Sequence, residues 1–204
     1  IAGGHTPSDF NVIDFVTMAS QGDAQDFGDL SQAGHGVSMC INDSTRGVFA
    51  GRTSGGTFQN TIDYITIAQT GNAVDFGDIS AHSARNVHGG SSPTRGLFAL
   101  GWNGNTSANT NTIEYLTIST LGNTADFGDL LFTGRYGCGG SNAVRCLITD
   151  GTGSSNTVNF VTIATLGNAQ DFGDLTQTSG TQLPVMCTSP TRAVRVGGQS
   201  PSFT

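Results

Sequence analysis

The sequence predicts an all-β protein made of repeated units, with the architecture of a β-propeller or a related array. The tetrapeptide Asp-Phe-Gly-Asp occurs four times, at intervals of 45 to 51 residues. A segment of β-branched and aromatic residues, typical of strands, precedes each copy at a constant distance. Turn residues break each repeat too often to leave room for a helix. Four short strands in about 50 residues match the size of a propeller blade.

The chain of 204 residues is consistent with a single domain. Its repeats run approximately over 1–50, 51–100, 101–149 and 150–204. Hydrophobic residues make up 36% and charged residues 11% of the chain, which argues against disorder. The net charge is −7 and there is no Lys, so the chain lacks the basic surface that nucleic acids and anionic lipids need. No apolar run is long enough for membrane insertion.

The strands can be placed one by one within the repeat. One strand begins at Ile13, Ile62, Ile113 or Val158, each thirteen residues before the motif. In that strand Ile62 and Tyr64 share one face and Ile65 lies on the other, which indicates burial on both sides. Asp-Phe-Gly-Asp itself predicts the next strand, with its Phe in the core and its Gly at a bulge. Two further short strands are expected around 37–41 and 47–51, and again around 184–187 in the last repeat.

The aromatic residues at fixed positions predict the core between blades. We expect the four motif phenylalanines to pack there with Phe15, Tyr64, Tyr115 and Phe160.

A repeated arginine and a repeated aspartate predict a structural contact. The arginines are Arg46, Arg95, Arg145 and Arg192, and the first motif aspartates are Asp26, Asp75, Asp126 and Asp171. We expect one motif aspartate to cap a turn and the other to pair with the arginine. The alternative is a calcium site that includes Asn72, Asn123 and Asn168, but the chain has no Asp-rich calcium loop. We predict no metal and no cofactor, and no enzyme activity, because a catalytic carboxylate pair would occur once rather than four times.

The histidines and cysteines show no known catalytic or zinc-binding spacing. His5, His35, His82 and His88 occupy different positions in the repeat, and we expect them to be exposed loop residues. We expect Cys40, Cys138, Cys146 and Cys187 to be free and buried thiols. The alternative is that Cys138 and Cys146, which flank a predicted turn, form a disulfide.

Loops of variable length predict the binding surface, if the protein binds a ligand. These are residues 5–11, 52–60, 102–112 and 150–157, which are rich in Asn, Thr, Ser and Gly. The candidate ligand-binding residues are Trp102, Asn103, Asn105 and Phe58. An aromatic ring beside uncharged polar groups suits a neutral saccharide. The alternative is that Trp102 covers a blade edge.

The order of strands and turns resembles the kelch repeat. The pairs Gly3-Gly4 and Gly197-Gly198 and the turn arginines Arg85 and Arg135 fit that pattern. The motif Phe stands where kelch repeats usually have Trp, and Phe49-Ala50-Gly51 departs from the pattern. The stretch from Thr61 to Asp78 resembles repeats in virion and tail-fibre-like proteins of marine bacteriophages.

The resemblance implies a kelch-like propeller, either a small ring or a segment of a longer array. It implies a non-enzymatic structural or adhesive component of a bacteriophage tail or fibre, with a role in host attachment. Such a protein assembles in the host cytoplasm and is then extracellular in the virion. Its expected partners are other virion proteins or further copies of itself, and a host-surface glycan. The alternative function is a glycan-binding lectin propeller.

Overall fold

Every regular element of the structure, a computed structural model, is a β-strand. It describes residues 2–37, 39–85, 87–99, 101–152, 155–177 and 184–197, and within these ranges there is no helix. Consequently no described helix could cross a membrane. The all-β prediction is confirmed. The strands are β1 Ala2–His5, β2 Asp9–Phe15, β3 Gln25–Asp29, β4 Met39–Asn42, β5 Arg46–Ala50, β6 Thr53–Ser54, β7 Thr57–Phe58, β8 Thr61–Thr66, β9 Val74–Asp78, β10 Ala84–Arg85, β11 His88–Ser91, β12 Arg95–Ala99, β13 Trp102–Asn103, β14 Ala108–Thr117, β15 Ala125–Gly134, β16 Cys138–Ser141, β17 Arg145–Thr149, β18 Thr157–Thr162, β19 Gln170–Asp174, β20 Val185–Thr188 and β21 Ala193–Val196.

The strands form a series of antiparallel sheets, which we call blades. Blade I is β1-β2-β3, blade II is β4-β5-β8-β9, and blade IV is β16-β17-β18-β19. Blade III contains β11-β12-β14-β15; β13 also pairs with the long strand β14, and β10 pairs with β13. β20 and β21 form a two-stranded hairpin. The four-stranded repeat is therefore present in blades II, III and IV, whereas closure into a propeller ring stays a prediction.

The motif strand carries the predicted bulge in every blade. Its pairing with the preceding strand shifts register directly after Ile13, Ile62, Ile113 and Val158. The motif glycines have φ between +134° and +144°, where L side chains are strained. Gly77 is crowded as well, since a Cβ there would lie 2.4 Å from the Gly122 carbonyl oxygen of blade III. The bulge thus lets the edge of one blade approach the next.

The main core lies between consecutive blades. Phe27, Phe76 and Phe127 are buried, each edge-to-face with an aromatic residue of the neighbouring strand. Phe76 packs in one cluster with Leu116 and Ile118 of blade III. The predicted aromatic core is therefore confirmed for blades I to III. The equivalent Phe172 of blade IV is 53% exposed, because no described segment covers that face.

Backbone hydrogen bonds also join consecutive blades. The Gly71 N–H donates to the Phe27 carbonyl, and the Ala73 N–H donates to the Asp29 carbonyl, both at 2.7 Å. The segments 122–124 and 167–169 make the same contacts with blades II and III. In blades II, III and IV, a short segment therefore hydrogen-bonds to the motif strand of the preceding blade and extends that blade's sheet.

The first strands of successive blades lie side by side, in the order β4, β11, β16 and β20. Hydroxyl groups connect them. The Ser91, Ser141 and Thr188 side chains donate to the carbonyls of Asn42, Ser91 and Ser141, respectively, at 2.8 to 3.1 Å. This ladder sets the spacing of the blades along one side of the array.

Candidate functional site

The motif aspartates are local structural groups. Asp26, Asp75 and Asp171 each accept a hydrogen bond from the N–H of the motif glycine two residues later, at 2.8 to 3.0 Å. This bond holds the bulge in its positive-φ conformation. All four first motif aspartates, including Asp126, are exposed.

The expected ion pair between repeat arginine and motif aspartate is wrong. Arg46 donates from Nη1 to the Ile118 carbonyl of the next blade, and Arg95 donates to the Ile163 carbonyl in the same way, both at 2.8 Å. Arg46, Arg95 and Arg145 also stack over Tyr64, Tyr115 and Phe160. Neither Arg145 nor Arg192 forms an ion pair within the described ranges. The guanidinium reaches across the blade junction to a turn carbonyl, whereas the aspartate oxygen already holds the bulge.

The asparagines considered as calcium ligands have a different role. The side-chain carbonyls of Asn72, Asn123 and Asn168 accept from the N–H groups of Asp29, Asp78 and Asp129 of the preceding blade, at 3.0 to 3.1 Å. These oxygens therefore act in blade stacking.

A second set of polar groups is buried at the same junctions, and the sequence reasoning missed it. Asp63, Glu114 and Asn159 occupy one position of the third strand and are at most 3% exposed. Each accepts a hydrogen bond from the backbone N–H two residues after the motif of the preceding blade, donated by Ser31, Ser80 and Leu131. The signal in the sequence was a polar residue repeated within an otherwise apolar strand.

The predicted ligand-binding residues lie close together where blades II and III meet. Trp102 and Asn103 form β13, and the Asn103 side chain accepts from the N–H groups of Asn105 and Thr106, which closes a tight turn. The Asn105 side chain accepts from the Ser83 hydroxyl at 3.1 Å. The Phe58 ring packs against Gly104, where a Cβ would lie 2.6 Å from it.

The indole ring of Trp102 is already in contact with a cation. The Arg135 guanidinium carbon lies 4.3 Å from the ring centroid, so one face of the ring is covered. Only the opposite face could stack on a sugar. The segment 102–112 is also not an irregular loop, because β13 and the start of β14 lie within it.

A groove of about 500 Å³ runs along the first strands. Glycines line it, including Gly89, Gly90, Gly139 and Gly140. A Cβ at Gly139 would lie 2.4 Å from the Gly89 carbonyl oxygen, so β11 and β16 approach more closely than side chains would allow. The pairs Gly89-Gly90 of β11 and Gly139-Gly140 of β16 therefore allow these two strands to pack closely.

The expectation that all four histidines are exposed is wrong. His82 and His88 are each only 6% exposed. His5 and His35 have exposed side chains, but both contact the same carboxylate.

Among the described residues, His5, Asp9 and His35 are the one group of at least three His, Cys, Asp or Glu side chains whose ligand atoms lie close enough to share a metal ion. Nδ1 of His5 lies 2.8 Å, and Nδ1 of His35 lies 2.6 Å, from Oδ1 of Asp9. The two imidazole centroids are 5.1 Å apart. The three ligand atoms lie within 4.8 Å of one another, as groups that share a metal ion do.

Backbone contacts position each member of the cluster. His5 and Asp9 are paired residues of the β1–β2 hairpin. His35 forms an isolated antiparallel bridge with Thr53 of β6, which pairs with β7 in a separate two-stranded hairpin between β5 and β8 of blade II. The Gly55 N–H donates to Oδ2 of Asp9 at 3.1 Å. Hydrogen bonds with His5, which has the larger effect, and with His35 lower the pKa of the Asp9 carboxyl to about 2, so this carboxyl is ionised at neutral pH.

The described thiols are all free. Cys138 and Cys146 are buried, as expected, whereas Cys187 is exposed, contrary to expectation. Cys138 pairs with Thr149, and Cys146 with Ser141, so the two cysteines are not opposite each other. The side chain of Cys40 lies outside the described part of the structure. Burial raises the pKa of the Cys146 thiol to about 12 and also raises the pKa of Cys138.

The described part of the fold defines a repeat protein of stacked antiparallel blades. No protein-family model matches the chain, and neither does any curated protein.

Proposed function

We propose that this chain is a non-enzymatic structural and adhesive component of a bacteriophage virion, as part of a tail or fibre. The observation that carries the proposal is the set of contacts repeated between successive blades. Each of the junctions I–II, II–III and III–IV has the same pair of backbone hydrogen bonds and the same asparagine contact. Such a construction gives a rigid, extendable scaffold that needs no unique chemical site.

We propose further that the blades belong to a kelch-like propeller, as a small ring or as a segment of a longer array. The side-by-side first strands and the groove along them support this arrangement, because a propeller places its innermost strands around a central channel. The partners proposed are other virion proteins or further copies of the chain.

The experiment is quantitative mass spectrometry of purified virions from a phage that encodes this chain, combined with immunogold labelling. The expected result is many copies per particle and labelling confined to the tail or fibres. Absence of the chain from purified particles, with abundance in the infected-cell lysate, would contradict the proposal.

The second candidate function is binding of a host-surface glycan near Trp102. It is favoured by the grouping of Phe58, Trp102 and Asn105 at one junction. A glycan array with the parent chain and the variant Trp102→Ala tests it. Selective binding of a neutral saccharide that the variant loses would support the lectin function, and an array without a specific signal would exclude it for the glycans tested.

A further inference from the structure

The cluster of His5, Asp9 and His35 lies where blade I meets the β6–β7 hairpin, and none of its three residues lines the groove. Its members come from three separate parts of the chain, one at the end of β1, one at the start of β2 and one in the connection that follows blade I. From these residues we infer that the cluster is a binding site for a divalent transition cation of the Zn²⁺ type. The site is independent of the proposed virion function.

The donor set determines the class of ion. Two imidazole nitrogens and one carboxylate oxygen suit Zn²⁺ and its neighbours in the first transition row, whereas Ca²⁺ and Mg²⁺ need mainly oxygen ligands. Three protein ligands leave at least one coordination position for water or for a partner's side chain. One carboxylate with two neutral imidazoles also supplies a negative charge to the cation.

The distances fit an ion after a small movement. A tetrahedral ion with ligands at about 2.0–2.2 Å separates its ligand atoms by roughly 3.4 Å. The Nδ1 atoms of His5 and His35 lie 2.8 and 2.6 Å from Oδ1 of Asp9. Each nitrogen must therefore move away from this oxygen by less than about 1 Å. His5 and His35 are 54% and 41% exposed, which leaves their rings free to adjust.

A backbone hydrogen bond to its second oxygen orients the Asp9 carboxylate. This oxygen accepts the hydrogen bond from Gly55 of the β6–β7 hairpin, as carboxylate ligands of metal sites are commonly oriented by outer hydrogen bonds. The bridge between His35 and Thr53 fixes the backbone of the third ligand. A bound ion would therefore strengthen the contact between blade I and the β6–β7 hairpin.

The chemistry of binding balances without any further reactant. In the metal-free form each imidazole can donate its Nδ1–H to Asp9. On binding, Nδ1 becomes the ligand and a neutral ring carries its proton on Nε2 instead. A ring that was protonated releases one proton to solvent.

The test is equilibrium dialysis of Zn²⁺ against the full chain, prepared without a polyhistidine tag and stripped of metal by a chelator. The expected result is one Zn²⁺ per chain. Binding should be at least tenfold weaker in each of Asp9→Asn, His5→Gln and His35→Gln, because even the outer partners of metal ligands contribute 10–100-fold. Asp23→Asn, which removes an exposed carboxylate of the same blade, is the matched control and should bind as the parent does.

A second measurement uses only the parent chain, so it does not depend on whether the variants fold. Histidine ring signals are followed by NMR while Zn²⁺ is added. The signals of His5 and His35 should shift together and saturate at one equivalent, whereas those of the buried His82 and His88 should stay unchanged. Absence of stoichiometric binding, binding unaffected by Asp9→Asn in a folded variant, or shifts confined to other histidines would overturn the inference.

Discussion

Arg52, which follows β5, and Asp63 of β8 form a fully buried ion pair in blade II. Nη1 of Arg52 lies 2.5 Å from Oδ2 of Asp63, and their side chains are 2% and 0% exposed. Nη2 of Arg52 also donates to the Ser31 hydroxyl, which in turn donates to Asp63. Ser31 follows the motif strand of blade I, so this network links two blades through charged groups that are shielded from water.

Loss of one partner of this pair should destabilise the protein strongly. We expect Asp63→Asn to lower the free energy of unfolding by about 3–5 kcal/mol, because Arg52 would keep a buried and uncompensated charge. The measurement is urea unfolding of the parent and the variant. Asp23→Asn, the exposed control, should change the same quantity by less than about 0.5 kcal/mol. Equal effects of the two substitutions would show that the buried pair contributes nothing specific.

Two phenylalanines at the same position of the repeat should differ in their contribution to stability. Phe76 is 2% exposed and Phe172 is 53% exposed. We expect Phe76→Ala to cost about 3–5 kcal/mol, since it leaves a cavity between blades II and III. Phe172→Ala should cost much less, because its ring is already half in water. Thermal or chemical unfolding of both variants measures the difference, and a cost for Phe172→Ala as large as for Phe76→Ala would mean that its face is covered in solution.

The repeat arginine should contribute through the contact that it makes with the next blade. Arg95 donates to the Ile163 carbonyl and stacks 4.4 Å from the Tyr115 ring centroid. Hydrogen bonds to a charged group contribute about 1.5–3 kcal/mol, so Arg95→Ala should lower the free energy of unfolding by that amount. Arg95→Lys should retain part of it, since Lys keeps the charge but loses the planar stack. Unfolding midpoints of both variants that equal the parent's would contradict this role.

The buried and exposed thiols should differ in reactivity. At pH 8 we expect iodoacetamide to modify Cys187 in the native protein and to leave Cys146 unmodified, because Cys146 is buried and its pKa is about 12. Peptide mass spectrometry reads each cysteine separately, and Cys146 should react once the chain is unfolded in urea. Native labelling of Cys146 at the rate of Cys187 would contradict the burial.

The same pKa shift predicts a pH dependence of stability. The ordinary pKa is 9.0, so between pH 9 and about 12 the unfolded chain loses the Cys146 proton while the folded chain keeps it. This group therefore favours unfolding increasingly as the pH rises through that range, and it has no effect below it. The contribution can be isolated by comparing the parent with Cys146→Ala in urea unfolding at pH 7 and pH 10. The parent should lose more stability between these two values than the variant does.

The sequence predicted the elements of the fold well because they depend on local rules. Strand position follows from the apolar alternation around Ile62 and Tyr64, and the bulge follows from a glycine at the same place in every motif. A repeating sequence does not show where one blade ends and the next begins, because any four consecutive strands could share a sheet. The hydrogen-bonded strand pairs show the grouping; for example, Gly47 of β5 lies opposite Ile65 of β8 in blade II.

The partners of charged groups could not be read from spacing. Arg46 and the motif aspartates recur together in the sequence, yet Arg46 reaches a carbonyl 72 residues away, in another blade. In the same way, the sequence places Arg52 in a variable loop, whereas the fold buries it beside Asp63. Charge pairing depends on which segments meet in space and on how much water remains there, and neither is a local property.

By itself the sequence determined the β class, the repeat, the bulged motif strand and the aromatic residues of the core, because backbone preference and apolar periodicity act over a few residues. Only the tertiary structure decided which polar groups meet. It brings His5 and Asp9 across one hairpin, and adds His35 from the connection to the next blade. No spacing rule joins residues from three segments, since their distance is set by the packing of one blade against another.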